Sequence, residues 1–116
     1  MLRHNKAELL KKHTKEPYSR IIPLIGEGAE AGIHLCELVK MTGMEDRALR
    51  KSIEHLRRSG AVIASDADHG YYFPASVSEL GAYVRKEEQR ARSTFHTIKT
   101  ARKLYKSIIK QTKEDV

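Results

Sequence analysis

This sequence contains few groups of side chains whose types and spacing could support catalysis or metal binding. His34 and Cys36 stand two residues apart, and no second ligand pair follows at the spacing of a zinc site. As a nucleophile, Cys36 would need a histidine base and an orienting acid, and no spacing brings His34 or His55 to it. Glu87 and Glu88 lie close to arginines in the sequence, and this spacing is typical of carboxylates that form surface salt bridges on a helix. We therefore expect no enzyme, no metal site and no cofactor.

The chemistry that the sequence does indicate is polyanion recognition by basic side chains between Gly43 and Gly60. Arginine binds guanine bidentately and also contacts phosphate, so a row of arginines on one helix favours DNA. The residues predicted to face base edges are Arg47, Arg50, Lys51 and Glu54. The residues predicted to contact phosphate are Lys40, Arg57, Arg58, Ser65 and His69.

One amphipathic helix over residues 45–59 must position most of these side chains. Leu49, Ile53 and Leu56 recur at i, i+4 and i+7 and form one apolar stripe, with the basic residues opposite. Gly60 suits the left-handed position that ends a helix. The stripe predicts docking on a core, which leaves the basic face outward as a DNA recognition surface.

The neighbouring segments predict a helix-turn-helix with a β-hairpin. A second apolar-faced helix is expected over residues 33–42, and Gly43 begins the turn into the basic helix. Beyond that helix the hydrophobic period changes to two, which predicts strands at residues 61–65 and 71–73. The polar residues 66–70 between them are typical of a turn. Tyr71 and Tyr72 are interpreted as anchors of this hairpin.

Residues 1–17 are interpreted as a basic arm or a short helix over residues 6–13, capped by Asn5. They carry five cations against two acids, a net charge of +3. A short helix with Ser19 as its N-cap is expected within residues 18–25. The glycine-rich residues 26–32 are expected to be a connector, since their acids would repel phosphate.

A long helix is predicted after Ser76, which begins a Ser-x-x-Glu capping box with Glu79. No proline interrupts residues 77–111, which would extend for about 50 Å as a helix. An apolar heptad pattern favours burial against a second copy of the helix, with folding back on its own domain or on residues 1–15 as the alternative. The predicted dimerisation residues are Leu80, Val84, Ala91, Phe95, Ile98, Ala101, Tyr105 and Ile108.

The overall composition favours one domain with an appended helix. The predicted divisions are 1–17, 18–75 for the helix-turn-helix domain, and 76–116 for the long helix. The net charge of +7 indicates a polyanionic partner, although the middle segment has seven cations against eight acids. No segment is long and apolar enough for a membrane, no signal peptide is evident, and a single cysteine favours the reducing cytoplasm.

One pattern extends across the predicted helix-turn-helix and hairpin: Gly43-x-x-Asp46-Arg47-x-x-Arg50-x-x-Ile53-x-x-Leu56-Arg57-x-x-Gly60, Ile63-x-Ser65 and Gly70-Tyr71-Tyr72-x-Pro74. It resembles the small winged-helix DNA-binding proteins of bacterial phages and prophages over residues 20–95. More distantly it is similar to the DNA-binding domain of biotin-operon-repressor-type regulators. The resemblance implies a mainly α fold with a small β-wing, a winged helix-turn-helix followed by a long helix, and it implies DNA binding. We interpret the function as sequence-specific binding of double-stranded DNA by a phage-type transcriptional regulator.

Two departures from that pattern concern the cap and the hairpin turn. Glu45 stands where serine or aspartate usually caps the recognition helix, and the turn carries Asp66 and Asp68 instead of basic residues. An acidic turn disfavours a deep phosphate contact there. The alternative function is a winged-helix protein-interaction module, an accessory protein in replication or transcription. RNA binding is less favoured, because the modules that read RNA have other signatures.

Overall fold

The computed structural model describes residues 4–114, which form a mainly helical structure with one small antiparallel sheet. This agrees with the predicted coarse fold class. The elements in chain order are α1 (His4–Lys12), α2 (Tyr18–Ile21), α3 (Leu35–Thr42), α4 (Asp46–Arg58), β1 (Ala64–Asp66), β2 (Gly70–Tyr72) and α5 (Val77–Glu114), with short 3₁₀ turns at Ile22–Leu24 and Ala29–Ala31.

The chain forms two compact units, the first ending at Tyr83 and the second beginning at Val84. The division therefore falls within α5 and not between residues 75 and 76. The first unit includes α1, whose Leu9 is buried in the same core as the later helices. No helix within residues 4–114 combines the length and apolarity needed to cross a membrane.

The core of the first unit is built mainly from leucine and isoleucine. The three predicted stripe residues of α4, Leu49, Ile53 and Leu56, are buried in it. They pack with buried residues from the other elements of the unit: Leu9, Ile21, Ile22, Ile25, Ile33, Leu38, Ala61, Ile63 and Phe73. Burial of this apolar surface fixes which side of α4 faces outward.

The turn between α3 and α4 has three residues and begins at Gly43, as predicted. Gly43 adopts a left-handed conformation (φ 72°), and its N–H donates to the Val39 carbonyl at 2.9 Å. The buried Thr42 hydroxyl donates to the Leu38 carbonyl at 2.6 Å and accepts from the Met44 N–H at 3.2 Å. Glu45 occupies the N-cap position without a side-chain capping bond. The turn is thus held by Thr42, and α4 begins without the usual cap.

The hairpin is shorter at its start than predicted. β1 begins at Ala64, because the Ala61 N–H donates back to the Leu56 carbonyl at 2.9 Å and closes the end of α4. The two strands pair in the register Ala64↔Tyr72, Ser65↔Tyr71 and Asp66↔Gly70.

Residues 26–33 do more than connect, which corrects the prediction for the glycine-rich segment. Ile33 exchanges two backbone hydrogen bonds with Tyr71, at 2.9 and 2.8 Å. The Gly28 N–H donates to the Phe73 carbonyl at 2.7 Å, and the Phe73 N–H donates to the Gly26 carbonyl at 2.8 Å. The far edge of β2 is therefore covered by this segment, which attaches the hairpin to the helices.

Two helix starts also differ from prediction. The N-terminal segment forms a helix, which was one of its two predicted forms. However, α1 begins at His4, and the Asn5 amide donates to the Val62 carbonyl at 3.0 Å, so Asn5 is not the cap of α1. Pro17, not Ser19, precedes α2. Ser76 does cap α5 by accepting from the Glu79 N–H at 3.1 Å.

The Glu79 carboxylate also accepts from the N–H groups of Ala75 and Ala29, each at 2.8 Å. These backbone donors stabilise its charged form and lower the pKa of Glu79. These hydrogen bonds connect the start of α5 to the 3₁₀ turn at Ala29–Ala31, which belongs to the segment that covers β2.

Candidate nucleic-acid interface

The outward side of α4 brings the predicted base-reading residues together. We define the α4 outer face as the five exposed residues Arg47, Arg50, Lys51, Glu54 and Arg58. At about 100° per residue, all of them lie within about 60° of the direction of Arg47, and the buried stripe lies opposite. The face therefore presents four cations and one acid on a single helix surface.

Two of these arginines pair with acids one turn earlier. Arg50 contacts Asp46 and Arg58 contacts Glu54, each at 2.8 Å, with both arginine side chains more than 60% exposed. Arg47 and Lys51 form no ion pair with any residue in the described part of the chain. Exposed ion pairs contribute little stability, so the arginines can exchange a carboxylate for a base edge or a phosphate at low cost.

Arg57 does not belong to this surface, and its predicted phosphate contact competes with bonds inside the fold. Its Nε donates to the Ile63 carbonyl at 2.8 Å, and a terminal nitrogen donates to the Ser65 hydroxyl at 3.3 Å. Its guanidinium also lies 5.7 Å from the ring centre of Tyr71 and 5.9 Å from that of Tyr83. Arg57 thus connects the hairpin to α4, and the half-buried Ser65 takes part in this connection as a hydrogen-bond acceptor.

His69 is engaged within the hairpin turn. Its Nδ1 lies 3.0 and 3.1 Å from the two carboxylate oxygens of Asp66, whose Oδ1 also accepts from the His69 N–H at 2.7 Å. The hydrogen bond to Asp66 raises the pKa of His69 against an opposing effect of burial, with the charges of Asp66, Glu30 and Asp68 adding to the rise. Burial opposes ionisation of Asp66, but the bonds from His69 outweigh it and lower the pKa of that carboxyl. The predicted phosphate contact of His69 therefore competes with Asp66.

The other flank of α4 lies against the junction of α1 and α2, which sequence reasoning did not connect with this surface. The Tyr18 ring stacks on the His55 ring with centroids 5.4 Å apart, and His13 packs edge-on against Tyr18 at 5.4 Å. A cleft of about 240 Å³ opens beside them, lined by Lys12, His13, Thr14, Lys15 and Tyr18. The basic composition of residues 1–17 was the available signal, but only the fold brings two of these lysines near α4.

The remaining predicted residues divide between the two units. Lys40 is exposed on the last turn of α3. Leu80 is half-buried and belongs to the first unit. The other predicted dimerisation residues are exposed along the second unit: Val84, Ala91, Phe95, Ile98, Ala101, Tyr105 and Ile108.

Within residues 4–114, no three histidine, cysteine, aspartate or glutamate side chains come together as metal ligands. His34 is half-buried and Cys36 is exposed at the start of α3. Comparisons with models of protein families, with curated proteins and with solved structures give no match to this chain.

Proposed function

We propose that this protein binds double-stranded DNA in a sequence-specific manner, as a transcriptional regulator of the phage-type winged-helix class. The observation that carries the proposal is the α4 outer face, four exposed cations opposite a stripe that is sealed in the core. Such a face is available to a ligand without any rearrangement of the fold.

The arrangement of elements favours insertion of α4 into the major groove. α3, a three-residue turn and α4 follow each other as in a helix-turn-helix, and the β1–β2 hairpin comes directly after α4. Recognition helices contact bases through their N-terminal halves, where Arg47, Arg50 and Lys51 lie. A bidentate arginine–guanine pair discriminates against other bases by about 1–3 kcal/mol.

Phosphate contacts are assigned to exposed cations around that helix. Lys40 and Arg58 keep the role predicted for them, and Lys12 and Lys15 join them because their cleft adjoins the His55 side of α4. The hairpin turn carries Asp66 and Asp68, so the wing contributes less to phosphate binding than the helices do. A homodimer formed through α5 would read two copies of the half-site.

The test is selection of bound sequences from a random duplex pool, followed by affinity measurements on the enriched site. Arg50→Ala is expected to weaken that site by about 1–3 kcal/mol and to relax one base position. Lys40→Ala is expected to weaken all duplexes alike and to lower the salt slope by about one unit. Arg92→Ala is the matched control, because Arg92 forms a similar i,i+4 pair with Glu88 on α5.

If the pool yields no enriched sequence, sequence-specific binding is excluded. The acidic hairpin turn then favours the second function, a winged-helix module that docks on another protein. Absence of retardation of any duplex at low salt and micromolar protein would support that function, whereas retardation without sequence preference would leave only non-specific DNA binding.

A further inference from the structure

The second unit carries an apolar stripe that no described residue of the unit covers. We define the α5 stripe as Val84, Ala91, Phe95, Ile98, Ala101, Tyr105, Ile108 and Ile109. At about 100° per residue these side chains fall within a sector of about 140°, and most of the lysines and arginines of the unit lie outside this sector. Phe95 is 58% exposed and Tyr105 is 65% exposed.

The unit is a single helix, and every described residue from 88 to 113 is exposed. Single helices in water are marginal unless an apolar face is buried against a partner. The heptad spacing of the stripe matches the surface that two helices of this kind bury against each other.

The charges along the helix are distributed unevenly, and this distribution determines which orientation a second copy can take. Residues 96–113 contain six lysines or arginines and no acid, whereas Glu87 and Glu88 lie at the start of the unit. A parallel pair would set the cationic segment beside its own copy and would place Glu87 against Glu87 in the seam. An antiparallel pair would bring each cationic segment beside the glutamates of the other copy.

We propose that two copies pair through the α5 stripe in antiparallel orientation, with the twofold axis near residue 96. This inference rests on the self-association part of the proposed function and does not depend on DNA binding. The register follows from matching the heptad positions. It sets Val84 opposite Ile108 of the second copy and Ala91 opposite Ala101, with Ile98 opposite Thr94 and Tyr105 opposite Glu87.

This register also supplies complementary contacts beside the seam. Glu88 lies next to Arg102 of the second copy, and the symmetry repeats that ion pair. Phe95 lies next to Phe95 of the second copy at the axis. In the single chain the Arg102 guanidinium already lies 5.2 Å from the Phe95 ring centre, so pairing would extend an existing cluster. To form this ion pair, Glu88 would lose only its long contact with Arg92, at 3.8 Å.

Cysteine cross-linking of the full chain distinguishes the two orientations. In a Cys36→Ser background, Val84→Cys and Ile108→Cys are prepared as separate proteins and oxidised alone and as a mixture. The expected result is that neither protein cross-links with itself and that the mixture does, because disulfides need Cα atoms within about 7 Å. Cross-linking of either protein alone, with none specific to the mixture, would overturn the antiparallel orientation but not self-association.

Charge reversal tests the register independently, by sedimentation over a range of protein concentrations. Glu88→Arg and Arg102→Glu are each expected to weaken association by about tenfold, since two symmetric ion pairs become repulsive, and the double variant is expected to restore it. Lys103→Glu, on the opposite side of the helix, is the control and is expected to leave association unweakened. A chain that stays monomeric at all concentrations would overturn both this inference and the dimer of the proposed function.

Discussion

The two long amphipathic helices, α4 and α5, differ in where their apolar stripes lie. Leu49, Ile53 and Leu56 of α4 are buried within the first unit, whereas Phe95 and Ile98 of α5 are exposed. The stripe of α4 is thus already covered, and the surface that α4 offers to a ligand is its polar one. α5 offers its apolar side as well. This difference is the basis on which we propose polyanion recognition for α4 and self-recognition for α5.

The largest expected effect is on the covered stripe. Leu56→Ala is expected to lower the free energy of unfolding of the first unit by about 2–5 kcal/mol, because it leaves a cavity in a closed core. Urea unfolding of dilute protein measures the loss. Leu104→Ala on α5, where the side chain is 61% exposed, is expected to change that free energy by less than about 0.5 kcal/mol. Similar losses of stability in both variants would mean that the two helices do not differ in how these side chains are buried.

The next effect concerns the attachment of the hairpin that follows α4. Gly70 has φ +75°, and an added Cβ would lie 2.3 Å from the Ile33 carbonyl oxygen. Gly70→Ala is therefore expected to destabilise the first unit by about 1–3 kcal/mol, measured by thermal unfolding. Gly60→Ala is the matched control, since Gly60 also has positive φ but open space around it, and a smaller loss is expected. Equal losses would show that only backbone conformation matters at Gly70.

Two neighbouring arginines of α4 are expected to differ in role, one stabilising the fold and the other binding the ligand. Arg57→Ala is expected to destabilise the first unit by about 1–3 kcal/mol, because the Ile63 carbonyl loses its charged donor. Arg58→Ala is expected to change stability by less than about 0.5 kcal/mol and to weaken DNA binding. Unfolding and DNA-affinity measurements on both variants check this, and the reverse pattern would show that the two roles are exchanged.

The smallest effect is the pH dependence of the hairpin turn. The pKa of His69 is raised and that of Asp66 is lowered, so their ion pair stabilises the folded turn between those two values. The contribution of His69 is fully present below its unfolded pKa and is lost as pH rises through its higher folded pKa. The contribution of Asp66 is lost as pH falls through its own lowered pKa.

An NMR titration of the His69 ring measures this effect. Its pKa is expected above the ordinary histidine value, and Asp66→Asn is expected to move it back toward that value. The neighbouring acids Glu30 and Asp68 remain in this variant and retain a small part of the rise. A His69 pKa that does not respond to Asp66→Asn would mean that the pair does not form in solution.

Periodicity predicted the parts of the fold that depend on local sequence. The stripe of α4, the turn that begins at Gly43 and the long α5 follow from spacing, glycine position and the absence of proline. Contacts between distant segments could not be predicted in that way. The pairing of Ile33 with Tyr71 and the bond from Asn5 to the Val62 carbonyl join segments with no common pattern.

For the candidate site, the same limit separates Arg57 from its neighbours. By type and spacing it resembles Arg58, yet its Nε donates to the carbonyl of Ile63, the residue before β1. The cleft at Lys12 and Lys15 adjoins α4 only because Tyr18 stacks on His55, an aromatic contact that sequence spacing does not reveal. The exposure of the α4 outer face was therefore predictable from spacing, whereas the packing was required to show which cations are held by the fold.

The uninterrupted run of α5 sets a length scale. In the proposed antiparallel pair, Val84 of each copy lies level with Ile108 of the other, so the two Val84 positions are about 36 Å apart at 1.5 Å per residue. The stretch between these two residues would then set the separation of the two points at which the paired helices join their first units. Inserting one heptad near residue 96 would preserve the apolar seam while lengthening that separation by about 10 Å.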